Sequence, residues 1–112
     1  MRYHSPAMAE LNKRLAFLEQ AVRSGSADSF AFYALGMEYR KTGRVEESLA
    51  IFVELRARDT GYLPMYLMVG QMLTEASRKP EAREWLEAGI ALATERADAK
   101  ALGELESALG ET

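Results

Sequence analysis

Residues 29–62 and 63–96 carry the same pattern of apolar, aromatic and glycine positions, 34 residues apart and with no gap. Phe32 aligns with Tyr66, Leu35 with Val69, Gly36 with Gly70 and Tyr39 with Leu73. Further on, Ser48 aligns with Ala82, Ile51 with Trp85 and Phe52 with Leu86. A fixed period of this length marks a repeat solenoid, in which no unit can bury its own apolar face and each stacks on its neighbour.

The spacing inside each copy predicts two helices joined by a tight turn, and the flanks add one helix at each end. Ser5 and Pro6 read as N-cap and first helical residue. Behind them Met8, Leu11, Leu15, Leu18 and Val22 form an amphipathic stripe that Gly25 ends. A second helix runs from about Asp28 to Lys41, with Phe32, Leu35 and Tyr39 inward, and Gly43 supplies the turn. A third covers Val45 to Ala57. Pro64 opens the fourth, which ends near Ala76. Pro80 opens the fifth, with Ala82, Trp85, Leu86 and Ile90 inward. The last runs from an Asp98 cap to Leu109. Gly36 and Gly70 are read as close-approach positions, where a side chain would push the partner helix away. Ser77 falls where Gly43 makes its turn.

The positions that repeat resemble the tetratricopeptide repeat: a large residue, then Leu-Gly, an aromatic, and a small residue and an aromatic in the second helix. The first copy supplies Phe32, Leu35, Gly36, Tyr39, Gly43, Ser48 and Phe52; the second supplies Tyr66, Val69, Gly70, Leu73, Ala82 and Leu86. Three departures stand out. The usual proline near the end of each unit is Thr60 and then Thr94, the turn glycine becomes Ser77, and Gly89 stands where alanine is commoner. The resemblance implies an all-α, helix–turn–helix solenoid of six antiparallel helices in a right-handed superhelix. It would be a single domain over 1–112: an N-terminal helix or partial repeat at 6–24, repeats at 29–62 and 63–96, and a capping helix at 98–109.

Composition narrows the function classes. The chain has 112 residues, 48% hydrophobic and 28% charged, which is ordinary for a soluble globular protein. It has no cysteine, so disulfides and thiolate chemistry are excluded. No apolar run is long enough to cross a bilayer, and no signal peptide is evident, so the expectation is a cytoplasmic protein with no membrane contact. Net charge is −3, divided unevenly: residues 1–56 hold eight Lys/Arg against seven Asp/Glu, and residues 57–112 hold six against ten. An acidic second half argues against nucleic acid, since phosphate neutralisation needs a basic surface.

Catalytic and metal chemistry find no foothold. His4 is the lone histidine, and nothing in the sequence orients it as a base or assembles ligands around it. Asp28, Asp59 and Asp98 recur at loop positions and read as caps and loop residues rather than a calcium loop. Glu46, Glu47 and Glu81 lie in first helical turns, where the dipole favours anions, and with Glu84 and Glu87 they read as solvated helix face. Arg40, Lys41 and Arg44 read as a capped turn in solvent. The expectation is therefore a protein that is not an enzyme, with no cofactor and no metal.

The resemblance also implies where a partner would sit. The positions that line the groove in this family are Phe30, Tyr33, Ala34, Met37, Arg40 and Lys41 in the first copy. In the second they are Pro64, Leu67, Met68, Gln71, Thr74 and Glu75. Tyr33, Met37, Leu67 and Met68 are more apolar than a water-filled groove needs. Either they form a binding patch, or the N-terminal or capping helix curls over them and makes them core. Family members that clamp the acidic tails of heat-shock chaperones use cations in the first helices, and Tyr33, Ala34, Met37, Leu67, Met68 and Gln71 include none. The expected function is binding of a protein partner, as an apolar or amphipathic peptide or helix, through Phe30, Tyr33, Met37, Arg40, Lys41, Leu67, Met68, Gln71 and Glu75. The alternatives are a self-associating homodimer through the same face and an accessory subunit of a larger complex.

Overall fold

Prolines and aspartates set the starts of the helices. Pro6, Pro64 and Pro80 stand in first turns, where their missing N–H has no partner to lose. Asp28 and Asp98 lie outside their helices and accept from the backbone N–H of Ala31 at 2.9 Å and of Ala101 at 3.0 Å. In the computed structural model, which describes the backbone of residues 6–112 and the side chains of 13–112, six helices follow. They are α1 (Pro6–Arg23), α2 (Ser29–Lys41), α3 (Val45–Arg58), α4 (Pro64–Glu75), α5 (Lys79–Glu95) and α6 (Ala99–Leu109). No strand occurs among the described residues. His4, Ser5 and the side chains of Met8 and Leu11 lie outside the described residues.

Four helix ends use one hydrogen-bond pattern. After α1, α2, α4 and α5 a residue turns left-handed and the following N–H reaches back to the last turn: Ser26 to Ala21 O, Arg44 to Tyr39 O, Arg78 to Leu73 O and Asp98 to Ala93 O, at 2.8–3.1 Å. The left-handed residue is Gly25 or Gly43 in the first two, and Ser77 (φ 61°) or Ala97 (φ 54°) in the others. Ser77 therefore takes the turn that Gly43 takes one repeat earlier, without glycine's freedom.

The chain divides into two compact units, with the boundary between Ile51 and Phe52 inside α3. In the first, α1 packs on α2. Leu18, Leu35 and Tyr39 are buried, and Leu15, Val22, Ala31, Ala34 and Ile51 pack against them. Gly36 is buried, and its carbonyl accepts the Ser48 hydroxyl at 2.7 Å across the α2–α3 contact. Burying that hydroxyl is tolerable only because it has this partner.

In the second unit α4 packs on α5, and α6 packs on both. Met65, Tyr66, Val69, Met72, Leu73, Ala82, Trp85, Leu86, Ala93 and Leu105 are buried there. A Cβ on Gly70 would stand 2.3 Å from Cδ2 and 2.5 Å from Cγ of Leu86, so α4 and α5 meet without room for a methyl. Gly89 is equally constrained: its Cβ would lie 2.7 Å from Tyr66 Cβ and 2.9 Å from Leu105 Cδ2. Alanine is commoner at this position, but here α4, α5 and α6 converge on it and only glycine fits. The Thr94 departure also has a local cause. α5 continues to Glu95, so a proline at 94 would clash with the preceding helical turn.

Candidate protein-binding surface

α4 and α6 run side by side, and a trough lies between them. At the N-terminal end of α4 it forms a hollow of about 460 Å³ lined by Leu63, Pro64, Leu67, Met68, Ala101 and Leu105 together with Arg96, Asp98, Lys100 and Glu104. Leu67, Lys100 and Glu104 also line the next stretch, which passes Gln71, Gly103 and Ser107 to Ala108 and Glu111. Beyond it, Gln71, Ala108 and Glu111 are shared with a smaller depression that includes Thr74 and Glu75. The trough is thus apolar at one end and polar at the other.

Leu67, Met68 and Gln71 are half-buried, facing α6. They are neither fully open nor turned into core: α6 stands beside them and leaves a cleft. Glu75 is exposed at the far end. Thr74 Oγ1 donates to Gly70 O at 2.8 Å within α4, so this carbonyl accepts a hydroxyl from its own helix, whereas Gly36 O accepts one from the next helix. Ala82, aligned with Ser48, has no hydroxyl to offer.

Phe30, Tyr33, Met37, Arg40 and Lys41 lie on α2, in the other unit. Phe30 is 66% exposed in the first turn, whereas Tyr33, Met37 and Arg40 are half-buried. Lys41 Nζ lies 3.7 Å from Glu38 Oε1, which Arg14 also approaches at 2.9 Å. Arg44 pairs with Glu47 through its Nε at 2.7 Å and stacks over the Tyr39 ring at 4.4 Å. Lys41 and Arg44 are therefore engaged by the chain's own carboxylates.

Two carboxylates of the second unit are likewise tied to arginines. Glu84 takes both Nη atoms of Arg56, at 2.7 and 2.8 Å, and that guanidinium lies over the Trp85 ring at 4.6 Å and the Tyr66 ring at 5.4 Å. Glu81 pairs with Arg78 at 2.8 Å. Hydrogen bonds from these arginines hold the carboxyls of Glu81 and Glu84 below their ordinary range, and Arg44 does the same for Glu47. This is the opposite of what a general acid needs. Burial first, then a hydrogen bond to Glu19, pushes the Tyr39 hydroxyl up to about 12. Among the described residues, no three or more His, Cys, Asp or Glu are grouped to hold a metal ion. No helix among them is long and apolar enough to cross a membrane.

The α6 wall of the trough is not among the positions the sequence singled out. Lys100, Ala101, Glu104 and Ala108 belong to it, while Arg96, just past the end of α5, lies against Gly61, its Nη2 2.7 Å from where a Cβ would stand. The available signal was the helical phase of Ala101, Glu104, Leu105 and Ala108, at steps of three and four. The positive groups beside Leu67 and Met68 thus come from the end of α5 and from α6, not from α4.

Neither a family model nor a curated protein matches the sequence. Solved structures do. A tetratricopeptide repeat domain protein from Salinibacter ruber is 33% identical; its crystal structure superposes with a TM-score of 0.67, over 73% of this chain and 92% of that one. A solution structure with the same description gives 0.68, over 73% and 83%. A protein from Bordetella parapertussis at 23% identity shares the fold, with a TM-score of 0.73 over 85% of this chain and 83% of that one. The repeated Leu35-Gly36 and Val69-Gly70 pairs, the six-helix order and the Salinibacter ruber match together show that the chain belongs to the tetratricopeptide repeat family.

Proposed function

We propose that the chain is a protein-binding module and that the trough between α4 and α6 receives an apolar or amphipathic segment of a partner. The observation that carries this reading is the hollow at the N-terminal end of α4. There Leu63, Leu67 and Met68 face Ala101 and Leu105 across a cleft with charged edges. An apolar floor with a few polar groups at its margin suits a side chain that anchors by burial and is oriented by charge. Methionine at the floor adapts to different shapes. Phe30, Tyr33, Met37, Arg40 and Lys41 on α2 are proposed as a separate set of partner contacts.

The test is affinity selection from a displayed peptide library, followed by titration of the recovered peptides against the wild type and Met68→Glu. A carboxylate in place of the thioether removes apolar surface from the hollow and adds a charge that an apolar side chain would have to desolvate, so it should weaken binding by about tenfold or more. A melting curve confirms that the variant is folded. Recovered peptides that bind Met68→Glu as tightly as the wild type would refute the trough as the site.

Self-association is the second reading, favoured by Phe17 and Phe30, which are 73% and 66% exposed. Light scattering across a concentration series decides it: a mass rising to twice 12.5 kDa, and reduced by Phe30→Glu, supports a homodimer.

A further inference from the structure

The leucine- or valine-glycine pair of the two repeats occurs a third time. Leu102-Gly103 stands 33 residues after Val69-Gly70. Leu105 likewise stands 33 after Met72, and both of these are buried. α6 therefore has the phase of α2 and α4, the first helix of a repeat. In the two full repeats a second helix closes on the glycine. Ser48 Oγ on α3 donates to Gly36 O at 2.7 Å, and Leu86 on α5 leaves no room for a Cβ on Gly70. Gly103 has no such cover: it is exposed, and a Cβ on it would meet nothing within 4 Å. Glycine in the middle of a helix weakens it, and no contact of this fold offsets the loss at Gly103.

α1 shows the converse. Leu18 stands 34 residues before Phe52 and 68 before Leu86, and all three are buried. α1 thus has the phase of α3 and α5, the second helix of a repeat. Its Phe17 takes the position of Ile51 and Trp85. Trp85 is 6% exposed, and Tyr66, on the first helix of its own repeat, lies beside it with ring centroids 5.9 Å apart. Phe17, by contrast, is 73% exposed. Among the described residues, α1 is a second helix without its first, and α6 is a first helix without its second.

The two faces fit each other in size and charge. The residue of α6 in the position of Tyr66 is Ala99. Beside it lies a hollow of about 270 Å³ lined by Ala93, Thr94, Ala97, Asp98, Ala99 and Leu102. Small side chains there leave the room that a ring such as that of Phe17 fills. α1 carries three Lys/Arg against two Asp/Glu, and residues 98–111 carry one against four. Lys13 and Arg14 are exposed one turn before Phe17, Arg14 also lying 2.9 Å from Glu38. Glu106 is exposed one turn after Leu102. In an antiparallel pair of helices these opposite charges come together.

We propose that the chain associates head to tail: α1 of one copy docks antiparallel on α6 of another, with Phe17 in the hollow beside Ala99 and the helices in close approach at Gly103, so that two copies together complete a third repeat. This rests on the self-association reading and goes further in naming the two faces, which are unlike each other. Each face lies within one compact unit of its own copy. A contact between unlike faces leaves every pair with one free α1 and one free α6, so growth continues past two copies unless a ring closes.

Sedimentation velocity across a concentration series reads the assembly, with the wild type, Phe17→Glu, Gly103→Lys and Phe30→Glu. The wild-type mass should rise with concentration to twice 12.5 kDa or more. Phe17 and Gly103 are open in the single copy, so both variants should keep the helical dichroism of the wild type. Each alone should associate about tenfold or more weakly. Mixed in equal amounts they should recover one contact of wild-type strength, because the first keeps an intact α6 and the second an intact α1. That mixture should stop at two copies. Phe30→Glu should associate as the wild type does. The proposal is overturned if the mixture stays monomeric, since the contact then joins like faces, or if Gly103→Lys associates like the wild type. It is equally overturned if Phe30→Glu abolishes association and Phe17→Glu does not. In these three cases the chain still self-associates and the broader reading stands. A wild type that is monomeric at every concentration overturns both.

Discussion

Glycines of one type, in helices of one fold, respond to the same change with opposite sign. Gly70→Ala places a methyl within 2.5 Å of the fully buried Leu86, and the strain outweighs alanine's better helix propensity, so the variant should lose about 1–3 kcal/mol of stability. Gly70→Leu should lose more. Gly103→Ala meets open space and should gain about 1 kcal/mol. Urea melts of the three variants check both signs, and stability unchanged in Gly70→Leu would break the alignment of the two repeats. Ser77 and Ala97 make a related point. Each holds a left-handed backbone that disfavours any Cβ, so Ser77→Gly and Ala97→Gly should each stabilise by up to about 1 kcal/mol in the same assay. Tyr39 gives a pH signature. Its hydroxyl is pushed from 10.0 up to about 12 by burial and by Glu19, so the folded state keeps the proton longer than the unfolded chain does. The stability this contributes is fully present below pH 10 and is lost as pH rises through about 12. The difference in stability between the wild type and Tyr39→Phe should therefore shrink across that window, as read from urea midpoints.

At the level of the helices, most of the fold was legible because its punctuation is local. Pro64, Pro80, Asp98 and Gly43 act within one turn of where they stand, and the observed ends follow them. Gly36 and Gly70 were legible as contacts because the repeat names them twice. The α6 wall was not, because its role depends on which face of a short helix meets α4, and the spacing of its apolar residues Ala101, Leu102, Leu105 and Leu109 does not separate the side that packs from the side that lines a cleft. Leu105 does both: it is buried under Gly89 and closes the hollow. The far end of α5 was also hidden, since Thr94 gives no sign that the helix continues past the usual break. Because α6 is short and begins at a capped aspartate, Asp98→Ala should cost about 1 kcal/mol and weaken peptide capture at the trough. A melt and an anisotropy titration on one preparation check the two together; lost stability with unchanged capture would show that α6 does not shape the site.

For the chain as a whole, the composition excluded chemistries more readily than it named a partner. A repeat framework puts its strongest sequence signal into stacking, while the groove positions proposed to meet a partner differ between the copies, Ala34 in the first standing where Met68 stands in the second. The division between the two compact units falls inside α3, and each carries its own buried aromatics: Tyr39 in the first, Tyr66 and Trp85 in the second. Trp85 is the single tryptophan of the chain, 6% exposed, with its ring 5.9 Å from that of Tyr66 and beneath the Arg56 guanidinium. Its emission therefore belongs to the second unit alone, while circular dichroism reads every helix. The shared α3 should make the two signals change at one denaturant concentration, as a single cooperative block requires. A fluorescence midpoint displaced from the dichroism midpoint would divide the block at Ile51. The same indole, shielded from water and held against a cation, gives the protein a built-in optical reporter: its colour tracks the packing of α4 on α5 without any added label.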